Sequence, residues 1–133
     1  PEDERLQKAM KLTKERLTIK TPVGGIARYE GDKYFYSGGD QTGNPWFITT
    51  LWYTQYAIAM AKNDHDLDLV REELNWVEHN ALRSGVMSEQ LNPYTGAQLS
   101  AAPLTWSHSE YIRTVIMYMR KLGELGIAEI PNL

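Results

Sequence analysis

The chain has 133 residues, no cysteine, and a formal net charge of −3 from 14 basic and 17 acidic side chains. That length can bury a core within one domain, and the charge balance offers no footprint for nucleic acid and no polybasic membrane surface. The absence of cysteine excludes disulfides and thiolate chemistry, and three histidines (His65, His79, His108) without an HxxH or HExxH spacing make a histidine-rich metal site unexpected.

The chain opens Pro1-Glu2-Asp3-Glu4, without the basic-then-apolar order of a secretory leader and without an initiator Met. The expectation is a processed chain or a piece of a longer one, soluble, with the cytoplasm favoured. Residues 2 to 17 read as a helix, with Leu6, Met10, Thr13 and Leu17 three or four apart and acidic residues preceding lysines. Pro22 restricts its predecessor and makes 18–21 extended or irregular. From Pro22 to Gly43 six glycines point to turns and close backbone approaches rather than a regular sheet. The spacing is not that of a phosphate loop.

Asn44-Pro45 predicts the start of a helix, with Asn44 as N-cap and Pro45 in the first helical position. Ile48, Leu51, Trp52, Tyr56, Ala59 and Met60 then give it a wide apolar surface to about Lys62. A helix apolar on most sides is surrounded by other helices, and a four-helix chain has trouble covering one. The run is too short and interrupted to cross a bilayer. Asp64 caps the next helix or ends the turn before it. Leu67, Val70, Leu74, Val77 and Ala81 form one apolar stripe of an amphipathic helix closing near Gly85. Residues 88 to 102 read as irregular. The last helix starts near Trp106 or Ser107, where Ser107 and Glu110 fit a capping box, and carries Ile112, Val115, Ile116, Met119 and Leu122. Gly126 and Pro131 mark a tail. Long loops thus fall at one end of the helix pairs and a short turn at the other.

Read from the residues alone, several side chains keep two readings. Glu89, beside Gln90 on the second long loop, is either a solvated loop glutamate or a carboxylate able to deprotonate a water. Glycosidic hydrolysis needs a second carboxyl group across the bond, and Glu30, Glu110 and Glu124 make no better partners by sequence. Arg28 and Asp32 are either a solvated loop ion pair or a fork of donors and an acceptor for a polyhydroxyl ligand. Trp46 and Trp106 are core residues or site walls, while Trp52 is expected in the core. His108 is expected to donate a ring hydrogen bond to a loop.

The stretches GGIARYEGDKYF (24–35), GNPWFITTLWYTQYA (43–57) and SEQLNPYTGAQLSAAPLTWSHSEYI (88–112) closely resemble the closing part of the glucoamylase-type glycoside hydrolases, family 15. The resemblance runs from about Pro22 to Met119 with order and spacing kept. It implies an all-α fold: residues 1–133 as a partial catalytic domain, about the last two helix pairs of an (α/α)6 barrel. It implies an inverting, exo-acting α-glucosidase that releases β-glucose from α-glucans or α-linked oligosaccharides, with no cofactor and no metal. Glu89 then stands where the family has its general base, Arg28 and Asp32 where groups hold the terminal glucose, and Trp46 at a pocket wall. Gln90 and Trp106 stand at supporting site positions. Ser109 departs mildly, standing where many relatives have Ala. The family's acid Glu belongs to an earlier loop that this chain lacks, so the implied partner is a missing N-terminal part of the same enzyme or a complementing chain. A non-catalytic regulatory or scaffold module, or a glucan-binding fragment of the same fold, is the alternative.

Overall fold

The computed structural model describes residues 3–129; Glu2 and Pro131, which the sequence placed in the first helix and the tail, lie outside them. Four helices carry the structure: α1 (Glu4–Leu17), α2 (Phe47–Met60), α3 (Asp68–Asn80) and α4 (Thr105–Glu124). A single turn of 3-10 helix at His65–Leu67 leads into α3. Among the described residues, no helix is long and apolar enough to cross a membrane.

α2 is the centre of the molecule. Phe47, Ile48, Leu51 and Ile58 are enclosed, and so are the polar Thr50 and Thr54, with Gln55 largely buried beside them. Such a helix makes no clean wet face, and its polar residues are satisfied inside: Thr54 Oγ1 donates to the Thr50 carbonyl at 2.9 Å, and Gln55 Nε2 donates to Thr114 Oγ1 of α4 at 3.0 Å. α3 and α4 pack on either side of it. Phe47 and Leu51 meet Val77, Met87 and Leu91 at the loop end. Ile58 meets Ala61, Leu67 and Val70 at the other. Leu51→Ala removes a side chain with no solvent exposure from the first cluster and is expected to cost about 2–5 kcal/mol, measurable as a lowered denaturant midpoint at unchanged slope.

The two long loops meet at the N-terminal ends of α2 and α4 and pair as a small antiparallel sheet, β1 (Ile26–Ala27), β2 (Pro45–Trp46), β3 (Gln90–Leu91) and β4 (Gln98–Leu99), in that spatial order. The expectation of irregular loops is corrected to this extent, although every strand is two residues long. The start of α2 is corrected as well. Pro45 belongs to β2, the helix begins at Phe47, and no side chain caps it. Its first turn is instead tied to β1, Thr50 Oγ1 accepting from the Ile26 N–H at 2.9 Å and Thr49 Oγ1 donating to the Ile26 carbonyl at 2.7 Å. The helix therefore inherits the position of the sheet. Asp64 ends the turn before α3: its carbonyl accepts from the Leu67 N–H at 3.0 Å, and its carboxylate pairs with Arg71.

Trp52 is the third correction. It sits on α2 but is 45% exposed, meeting the Trp106 ring edge-on at a centroid distance of 5.6 Å. Ile112, expected on the apolar face of α4, is 59% exposed. Where Trp52 and Trp106 meet, the α2–α4 pair thus carries apolar surface that is uncovered. The architecture is that of part of an (α/α)6 barrel.

Candidate functional site

The sheet register decides which residues meet. Ile26 pairs with Trp46, Trp46 with Gln90, and Gln90 with Leu99. Continuing each ladder by one residue sets Arg28 against Asn44 and Glu89 against Ser100. Arg28 and Glu89 thus lie at opposite ends of the four short strands, with Trp46 and Gln90 on a level between them.

Glu89 is half-buried, its own N–H donating to the Ala101 carbonyl at 2.9 Å. Ser100 Oγ donates to Glu89 Oε2 at 2.5 Å, and Gln90 Nε2 donates weakly to the same oxygen at 3.4 Å. No hydrogen bond from a described residue reaches Oε1. One oxygen is held while the other keeps its lone pairs for a small donor such as water. Ser100 has φ 65°, a left-handed backbone that a serine adopts at a cost. The segment behind Glu89 is fastened to α4: Ser107 Oγ donates to the Ser88 carbonyl at 2.7 Å, and Ser88 Oγ to the Gln90 carbonyl at 2.7 Å. The expected capping box is therefore absent. Ser107 is occupied by Ser88, Glu110 Oε2 accepts from Gln55 Nε2 at 2.8 Å, and α4 starts at Thr105 without a side-chain cap. His108 has the opposite role to the one expected, its Nε2 accepting from the Met87 N–H at 3.2 Å.

Arg28 and Asp32 form a two-pronged pair, Nε to Oδ2 at 2.9 Å and Nη2 to Oδ1 at 3.0 Å. The pair is not a solvated one, for Asp32 is 2% exposed, and the Tyr34 N–H adds a third donor at 3.0 Å. Burial pushes the Asp32 carboxyl up, but Arg28 and the Tyr34 N–H pull it down further, and the net is below the ordinary 3.8. A carboxyl lowered on folding stabilises the fold above its unfolded pKa, and that contribution is lost as pH falls through the folded value. Stability should thus decline with acid more steeply in the parent below about pH 4 than in Asp32→Asn, as thermal unfolding across pH 2–6 would show.

The Arg28 guanidinium lies 4.3 Å from the Trp46 ring centroid, with Tyr29 at 4.9 Å and Tyr34 at 5.3 Å. Trp46, expected at a pocket wall, is 4% exposed, and its Nε1 is buried with no hydrogen-bond partner among the described residues. Its flat face serves Arg28, while a third of the Arg28 side chain stays open to solvent. Trp106 is 49% exposed and stands with Trp52 on the uncovered side. The sheet sets Trp46 beside Gln90; Arg28 stacks on Trp46 and holds Asp32, Glu89 is reached through Gln90, and Trp106 meets Trp52. Two contributors escaped the sequence reading. Ser100 touches Glu89 only once the β3–β4 register is known, and Asn44 was assigned to a cap. Its Nδ2 in fact donates to Gln90 Oε1 at 2.9 Å.

Residues 75–116 match the family model described as glycosyl hydrolases family 15. The chain is 33% identical over 120 residues to an uncharacterized glycosyl hydrolase of Methanocaldococcus jannaschii, covering 84% of this chain and 18% of that protein. It also superposes on the glucoamylase of Hormoconis resinae with a TM-score of 0.60 at 18% identity, over 96% of this chain and 29% of that one. The chain spans less than a third of either relative.

Proposed function

We propose that this chain, a glycoside hydrolase family 15-like segment of an (α/α)6 barrel, supplies the general-base half of an inverting, exo-acting α-glucosidase. One observation carries the proposal: Glu89 has Oε2 held by Ser100 and Gln90 and Oε1 left open at the mouth of the helix pairs. A carboxylate so held can take a proton from a water that attacks the anomeric carbon from the face opposite the leaving oxygen, giving β-glucose from an α-linkage. Inversion needs room for that water, about 6.5–9.5 Å between the two carboxyl groups. The acid that protonates the leaving sugar comes from outside this chain. Glu30 pairs with Arg16, Glu110 is held by Gln55, and Glu124 pairs with Lys121.

Arg28 binds the terminal glucose through the donors that Asp32 leaves free, Asp32 and Trp46 keeping its plane fixed. Trp106 offers an exposed indole on which the apolar face of a sugar ring packs. Gln90 holds Glu89. The substrate is an α-glucan or an α-linked oligosaccharide, and residues 1–133 act as part of a catalytic domain completed by the rest of the enzyme or by a complementing chain. The deciding experiment replaces Glu89 by Gln in the completed enzyme.

A further inference from the structure

Asn44 is 1% exposed and makes three hydrogen bonds in the loop before β2. Its Nδ2 donates to the Phe35 carbonyl at 2.7 Å and to Gln90 Oε1 at 2.9 Å, while its Oδ1 accepts from the Ser37 N–H at 3.3 Å. An amide can often be turned over without penalty, its oxygen and nitrogen exchanging places. Asn44 cannot. A carbonyl only accepts and a backbone N–H only donates, so Phe35 and Ser37 together dictate which end is which. Phe35 has φ 52°, a conformation unfavourable for a bulky residue, and the loop keeps it while presenting that carbonyl to Asn44.

The consequence passes along the sheet. Because Asn44 presents N–H, Gln90 must present Oε1 to it, and Gln90, itself fully buried, has only Nε2 left for Glu89. We infer that Asn44 is a positioning residue: it fixes the Gln90 amide so that a donor, and never an acceptor, faces Glu89. The glycine-rich loop thereby reaches the base without touching it. With the amide reversed, two oxygens would oppose each other and disfavour the charged carboxylate that the base needs.

The inference rests on Glu89 being the base, and the experiment separates the two. In the full-length protein carrying this segment, Asn44→Asp keeps the acceptor for Ser37 but removes the donor to Gln90, whose amide then turns. The acid limb of the kcat/KM–pH profile should move up by ~0.5–1 unit, equivalent to about three- to tenfold lower activity on that limb. The Glu89 carboxyl resonance, assigned by its loss in Glu89→Gln, should titrate at correspondingly higher pH in carbon NMR. Gln90→Met removes the donor directly, so it should shift both readouts the same way, and Asn44→Asp should add nothing in that background. A lowered melting temperature with an unmoved profile and titration overturns the inference, as does an Asn44→Asp shift that persists undiminished beside Gln90→Met. If Asn44→Asp does not fold, Gln90→Met decides alone, and no upward shift sinks the relay. Full turnover in Glu89→Gln removes the base assignment instead, and the NMR titration still reports whether Asn44 acts on Glu89.

Discussion

Glu89→Gln in the completed enzyme lowers kcat by about 10²–10⁴-fold, the range that a general base contributes, while folding and most glucan binding survive. The substitution is nearly isosteric. Its amide oxygen still accepts from Ser100 Oγ, which stands 2.5 Å from Glu89 Oε2 in the parent, and the Ala101 bond uses only the backbone N–H. What disappears is basicity: an amide does not take a proton from water at any working pH. Because the water is activated only as the bond breaks, the loss falls on kcat and kcat/KM together rather than on KM. Thermal unfolding and glucan binding by calorimetry check that the site is intact, and the anomer of the first glucose released by the parent, read by proton NMR, checks inversion. Turnover within a factor of a few of the parent, or α-glucose as first product, would refute the role.

How much of this was readable from residues alone differs by element, and the reason is the range of the forces involved. The helices follow from local apolar periodicity, and α1, α3 and α4 lie close to where the three- and four-residue spacings put them. The helix starts went wrong where cap chemistry was legible but already committed elsewhere. Asn44 and Ser107 have the right side chains for N-caps, yet Asn44 spends its amide on Phe35 and Gln90 and Ser107 its hydroxyl on Ser88. A partner many residues away displaced the local rule. The sheet could not be seen because two-residue strands carry no alternation to count. Without the register, Ser100 is one serine in a loop; with it, Ser100 is the strongest hydrogen-bond donor to Glu89. Trp52 misled for another reason. A tryptophan on the most apolar helix belongs in a core, and here the surface that would cover it is not within the described residues.

That uncovered surface sets the second large effect: the 133-residue chain alone should show no α-glucosidase turnover, and adding the remainder of the barrel should restore it. Trp52 and Trp106 are 45% and 49% exposed where α2 meets α4, and large aromatic side chains dominate the energetics of interfaces that bury them. At roughly 25 cal/mol per Å² of apolar area removed from water, helix pairs closing over that side have a driving force of their own. The same closure would bring the leaving-group acid opposite Glu89. Mixing the two parts should therefore do three things together: raise turnover from background, shift tryptophan emission to the blue as Trp52 leaves water, and sharpen thermal unfolding into one transition. Trp52→Lys puts a charge into the closing surface, so it should weaken assembly and raise the partner concentration needed for half-maximal turnover. Measurable turnover by the lone chain would show that the acid lies among these residues after all, and would end the reading of the chain as half of a two-carboxylate site.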